Sequence, residues 1–141
     1  MTASSEIVFA PELNSETDEF RRVLVESGLG AWRPVDDRER LAAMLTGANL
    51  IVTARLRSAE MPLVGFARCL TDTAWACYVA DLAVCASAHG AGVGAGLMEE
   101  VRRQVGDGVT VLLVSVPDAV GFYERIGMHP VQDAYWYRRS R

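Results

Sequence analysis

The chain has 141 residues, half of them hydrophobic and 23% charged, with a formal charge of −4. A domain of this length buries roughly two thirds of the surface its unfolded chain exposes, so a single globular domain over residues 1–141 is expected rather than a disordered chain. The acidic balance excludes a general binder of phosphate backbones. No apolar run approaches the ~20 residues that cross a bilayer, and no basic segment followed by a long apolar one opens the sequence. The expectation is a cytoplasmic protein with no nucleic-acid or membrane partner.

Glu6 to Ala10 is a short apolar segment ended by Pro11, and Asn14 and Ser15 are candidate caps for a helix running through Ser27. Phe20, Val23, Leu24 and Ser27 share one face of that helix. Gly28 and Gly30 stop it, and residues 33–37 lead into a second helix to about Thr46 with the stripe Leu41, Met44 and Leu45. From Asn49 the period changes. Leu50 to Leu56, Leu63 to Leu70 and Trp75 to Val84 are apolar or β-branched runs between turn-prone residues, which predicts three consecutive antiparallel strands. Gly65 is a candidate bulge, and Thr71 to Ala74 suit a hairpin turn because their side chains bond their own backbone.

Cys69, Cys77 and Cys85 form no CxxC pair, so they read as small buried hydrophobes rather than disulfide or metal ligands, and no metal site is expected. A glycine-rich turn follows Cys85. It opens a helix whose apolar positions Val93, Leu97, Val101 and Val105 recur at helical spacing, ended by Gly106 and Gly108. Val109 to Val116 predicts a strand buried on both faces and parallel to its neighbour. Pro117 suits the first turn of a helix to about Ile126, and Ala134 to Arg138 predicts a last aromatic strand. Strand, two helices, three antiparallel strands, helix, strand, helix, strand is an α+β layout with one crossover.

A helix start leaves its first amides unpaired and carries about half a positive charge, so it attracts phosphate where small residues admit the ligand. Gly90, Gly92, Gly94 and Gly96 offer that access. The turn is not a P-loop, because Gly96 is followed by Leu97-Met98 rather than Lys-Ser or Lys-Thr. Nor is it a dinucleotide fingerprint: Leu97 stands where the last small residue is needed, and the preceding strands read as a meander.

Strand and turn together read Asp81-Leu82-Ala83-Val84-Cys85-Ala86-Ser87-Ala88-His89-Gly90-Ala91-Gly92-Val93-Gly94-Ala95-Gly96-Leu97. This resembles the acetyl-CoA motif of the GNAT superfamily of N-acetyltransferases: an apolar strand, a splay point, Arg or Gln, two variable residues, Gly, a variable residue, and Gly or Ala. Ala119-Val120-Gly121-Phe122-Tyr123-Glu124-Arg125-Ile126-Gly127-Met128 resembles the later motif of that family. The likeness covers roughly residues 50 to 138. It implies a mixed, mainly antiparallel central sheet flanked by helices and splayed at the central strand. It further implies acetyl-CoA as cosubstrate, its pyrophosphate on the amides of Gly90, Ala91, Gly92, Val93, Gly94 and Ala95, with Phe122 beside them. The backbone of Leu82, Ala83 and Val84 would pair with the pantetheine arm like an added strand.

The resemblance makes Tyr123 the general acid for the departing thiolate, since a phenol stays protonated at neutral pH. It assigns the oxyanion to an amide at Leu82 or Val84. His89 stands where the family has Arg or Gln and offers fewer donors and no permanent charge, so it is either a cofactor contact favoured at lower pH or an exposed loop histidine with no ligand. Val116-Pro117 replaces a family Asn that contacts the cofactor arm. No carboxylate shares the face of Leu82 and Val84; Asp81 points to the other side unless a bulge turns it, and Asp72 could act through water.

The expected activity is transfer of acetyl to a primary amine in a ternary complex. The alternatives are an acyl-CoA binding or sensing module, and an interaction protein in which Trp32, Trp75 and Trp136 form an interface, although core packing is their ordinary role. The acceptor is expected against the first two helices and the 71–78 hairpin, where Asp36, Asp37 and Asp72 could attract a cationic amine. A homodimer is compatible with the sequence.

Overall fold

The computed structural model describes residues 6–141. Five strands form one sheet in chain order: β1 (Ile7–Pro11), β2 (Leu50–Leu56), β3 (Leu63–Thr71), β4 (Ala76–Val84) and β5 (Thr110–Leu112). The first four are antiparallel, and β5 joins β4 in parallel after a helical crossover, as the layout predicts.

The helices α1 (Thr17–Ser27) and α2 (Arg38–Gly47) cover one face of the sheet. Phe20, Val23, Leu24 and Leu41 are buried there with Ile51, Phe66 and Ala83, and the Phe20 and Phe66 rings meet at 4.6 Å between centroids. Helix α3 (Val93–Val105) covers the other face, burying Val93, Leu97, Met98 and Val101 against Val52, Ala67 and Val79. These are the stripes that helical spacing marks out.

Two glycines set how closely α3 approaches. A Cβ on Gly65 would lie 2.9 Å from the Ala83 carbonyl oxygen and against Val93 and Leu97. A Cβ on Gly96 would collide with the Phe9 ring of β1, so this glycine serves packing across the sheet rather than ligand access. The bulge expected at Gly65 falls one residue earlier: Ala54 pairs with Gly65 but Arg55 with Leu63, leaving Val64 as the extra residue. The hairpin turn forms as expected, with the Asp72 carboxylate accepting from the amides of Ala74, Trp75 and Ala76.

Four expectations fail. Asn14 and Ser15 do not cap α1, whose cap position is Glu16 with no side-chain bond; the strongest helix cap is Asp37, which accepts from the Arg40 amide. The 109–116 strand is reduced to Thr110–Leu112 at the sheet edge, and it is not buried on both faces, because Thr110 and Leu112 on one face are exposed. Residues 134–138 form no strand, and Tyr135 and Tyr137 are exposed. Strand propensity reflects packing against neighbours, and these residues have none to pair with. Trp32, Trp75 and Trp136, at 49%, 78% and 62% exposure, lie outside the core. The expected helix after Pro117 begins as a 3-10 turn (Pro117–Ala119) and continues as α4 (Val120–Arg125). No helix among the described residues is long and apolar enough to cross a membrane.

Gly96→Ala should destabilise the protein by about 1–3 kcal/mol through overpacking, although alanine is the better helix former by about 1 kcal/mol. In denaturant titrations the double variant with Phe9→Ala should recover part of that loss, because the space is then vacant. Additive losses would show that Phe9 and Gly96 are not in competition.

Candidate active site

Strands β4 and β5 pair only at Ala76 with Thr110, Cys77 with Val111 and Tyr78 with Leu112. Beyond Tyr78 they part and leave a notch. The Cys85 amide donates to the Val64 carbonyl at 2.8 Å, and backbone direction alternates along a strand. Ala83 therefore turns its polar groups to β3, whereas Leu82 and Val84 turn theirs into the notch. The structure brings Leu82 and Val84 to the site but keeps Ala83 out, its backbone facing β3 and its side chain buried under α1 and α2. His89 Nε2 lies 2.9 Å from the Val84 carbonyl oxygen, where its N–H donates. The imidazole thus closes the end of β4 on an exposed surface.

The glycine-rich turn leads from this end of β4 into α3. Gly90 and Gly92 have φ of +84° and +76°, backbone that favours glycine. Gly92 is the cap residue, and the first helical bond runs from the Gly96 amide to the Gly92 carbonyl at 2.9 Å. The amides of Val93, Gly94 and Ala95 consequently have no helical partner. No acidic side chain stands in the first turn, so nothing cancels the positive end of the helix dipole. A Cβ on Gly94 would come within 2.8 Å of Phe122 Cζ: the ring of α4 lies directly over the helix start.

Tyr123, next on α4, meets Phe122 edge to face at 5.1 Å between centroids. It lines a cleft of about 40 Å³ in the notch with Leu82 and Val79 of β4, Val116 and Arg33. Burial raises the Tyr123 phenol above its ordinary value of 10.0, and the Arg33 cation partly opposes that rise. The cleft reaches both faces of the sheet, with α4 on the α3 side and Arg33 on the side of α1 and α2.

Arg33 is held by Asp81. Its Nε donates to Asp81 Oδ1 at 2.5 Å, and Arg68 Nε donates to Asp81 Oδ2 at 2.5 Å. The Asp81 side chain has no exposed surface. A bulge puts it there: Arg68 pairs with Asp81 but Cys69 with Val79, so Ala80 is the extra residue. Cys77 and Val79 face α3, and the bulge turns Asp81 to the α1 and α2 side. That is the face opposite Leu82 and Val84, so Asp81 is an anchor with both oxygens engaged, not a free base. Asp72 is likewise spent on its turn, whose amides lower its pKa. Cys85 is buried, and burial with a bond to Glu26 pushes its thiol up to about 11, which rules against a thiolate nucleophile.

Sequence reasoning missed Arg33 and Arg68. For Arg68 a signal existed, a lone charge inside the apolar run Leu63 to Leu70 with another, Asp81, in the next run; buried charges are paired. Arg33 stands in a loop before Pro34 and had none.

A model described as an acetyltransferase (GNAT) domain matches residues 48–128, a span that contains the notch, the glycine turn and Tyr123. The chain belongs to the GNAT acetyltransferase family. Its relatives include the uncharacterised N-acetyltransferase ycf52 of Gracilaria tenuistipitata var. liui, 31% identical over 98 residues, covering 63% of this chain and 54% of that protein. The Pyropia yezoensis ycf52 is 26% identical over 103 residues, covering 69% of this chain and 59% of that one. This GNAT chain thus spans a little over half the length of these relatives. Among solved structures, one of a candidate acetyltransferase from Deinococcus radiodurans R1 is 28% identical, with a TM-score of 0.74 over 99% of this chain and 94% of that one. The mixed sheet flanked by helices is therefore a GNAT fold. Residues 6–47, which carry α1, α2 and Arg33, lie outside the family match.

Asp81→Asn should cost about 3–5 kcal/mol, because it leaves two guanidinium groups facing each other in a buried site. Thermal and denaturant melts measure it. A loss under 1 kcal/mol would mean that the carboxylate does not hold the notch together.

Proposed function

We propose that the protein transfers acetyl from acetyl-CoA to a primary amine by direct attack in a ternary complex. The observation that carries this reading is the convergence of three features: the unpaired backbone of Leu82 with the Val84 amide, the free amides of Val93, Gly94 and Ala95, and the Tyr123 phenol. The site fits the cosubstrate. Three unpaired amides at a helix start without nearby carboxylates suit a pyrophosphate, and an unpartnered strand edge suits the amide-bearing pantetheine arm.

Acetyl-CoA supplies an activated acyl carbon and a sulfur leaving group. The acceptor nitrogen bonds to that carbon as the C–S bond breaks. Tyr123 Oη delivers its proton to the sulfur and is reprotonated from water, and the surplus amine proton passes to water. An amide of Leu82 or Val84 stabilises the carbonyl oxygen as charge develops on it. No carboxylate or imidazole lines the cleft among the described residues, so the acceptor arrives as a free amine rather than being deprotonated by the protein.

Tyr123→Phe should lower kcat about 10²- to 10⁴-fold and leave the affinity for CoA, measured by calorimetry, nearly unchanged. Because burial raises the phenol pKa, any alkaline fall in rate from loss of the Tyr123 proton should lie above the range of an ordinary phenol, as a pH–rate profile would show. The acidic limb should follow the pKa of whichever amine is used. An unaltered kcat removes the assignment, and CoA binding without acetylation of any amine would favour an acyl-CoA binding module.

A further inference from the structure

Among the described residues Arg33 is the one charged side chain on the wall of the cleft, and apart from Tyr123 the other lining residues are apolar. It does not merely offset Asp81. Two guanidinium groups share that single carboxylate, so the buried cluster carries one net positive charge behind an apolar wall. Arg33 Nε is spent on Asp81, one Nη donates to the Trp32 carbonyl at 2.9 Å and the other to the Ala80 carbonyl at 2.8 Å. A guanidinium has five N–H bonds, so each terminal nitrogen keeps one. The carboxylates able to draw in a cation are elsewhere. Asp36 is almost wholly exposed beside Arg21, Asp37 caps α2 and Asp72 caps its turn.

A polycationic amine entering this cleft meets a like charge at low dielectric with no carboxylate to hold it. An acceptor that carries its own carboxylate meets a fixed fork with donors to spare. Resting on the acetyl-transfer reading, we propose that Arg33 binds the carboxylate of the acceptor, and that the acceptor is a small amine of the α-amino acid class rather than a polyamine or an aminoglycoside. Arg33 is positioned for this by the bulge: the Ala80 carbonyl it grips is the extra residue of β4, and the grip holds the guanidinium on the acceptor side of the notch while Tyr123 sits on the other.

Binding of acetylated products tests the assignment without turnover. With the CoA-loaded protein, N-acetylalanine should bind about tenfold or more tightly than N-acetylalaninamide by calorimetry. Arg33→Gln should bring the two ligands to near parity, and Arg33→Lys should restore part of the preference. Equal affinities in the natural protein, tighter binding of the amide, or no detectable binding of either overturns the proposal, even if Arg33→Gln fails to fold. Release of free CoA thiol with alanine, its amide and spermidine separates the two claims. Turnover of spermidine but of no carboxylate-bearing amine defeats the Arg33 assignment alone, whereas no turnover and no CoA binding defeats the acetyl-transfer reading.

Discussion

The carboxylate of Asp81, buried between Arg33 and Arg68, is the interaction around which the functional half of the molecule is arranged. Burying a charge is costly unless it is paired, and here a strand bulge is what makes the pairing feasible. The extra residue Ala80 rotates β4 by one face, delivers Asp81 to the arginines and gives Arg33 a carbonyl to hold. Just before the bulge the ladder to β5 ends. The charge cluster and the parting of the strands therefore belong to one local event in β4.

From that event the chemistry of the notch follows. A strand whose outer neighbour has left must find partners for its backbone or leave it to solvent and ligand. His89 takes the Val84 carbonyl, and the rest of the edge is open next to the first amides of α3. The glycines that matter act in two ways. Gly90 and Gly92 allow the left-handed backbone of the turn, while Gly94 and Gly96 yield space to Phe122 and Phe9. Smallness at the helix start thus serves packing as much as access, and it is the packing of Phe122 that sets Tyr123 beside the notch.

The two faces of the sheet have different duties. The α3 and α4 side carries the features shared with the GNAT family match. The α1 and α2 side brings a loop arginine to the same cleft from a part of the chain outside that match. Under the proposed acetyl-transfer reading, a common cofactor end and an individual acceptor end are what a binding scaffold with variable loops leads one to expect.

Helical spacing and turn chemistry made α1, α2 and α3 legible from the amino acids alone, because each buries one face against the sheet; the three central strands were legible as apolar or β-branched runs, because helices cover both of their faces. The glycine turn and Tyr123 were legible for a different reason, being local motifs whose residues are contiguous. The tertiary structure alone decided what depends on partners distant in the chain. It freed Asp81 from any role as a base by bringing it to Arg33, 48 residues away in sequence. It shortened β5 and left residues 134–138 without a ladder, since no strand forms without a neighbour whatever its composition. The sequence carries the residues of the buried charge cluster, but only the fold could make them one site, because a charge pair has no periodicity and is defined by what surrounds it.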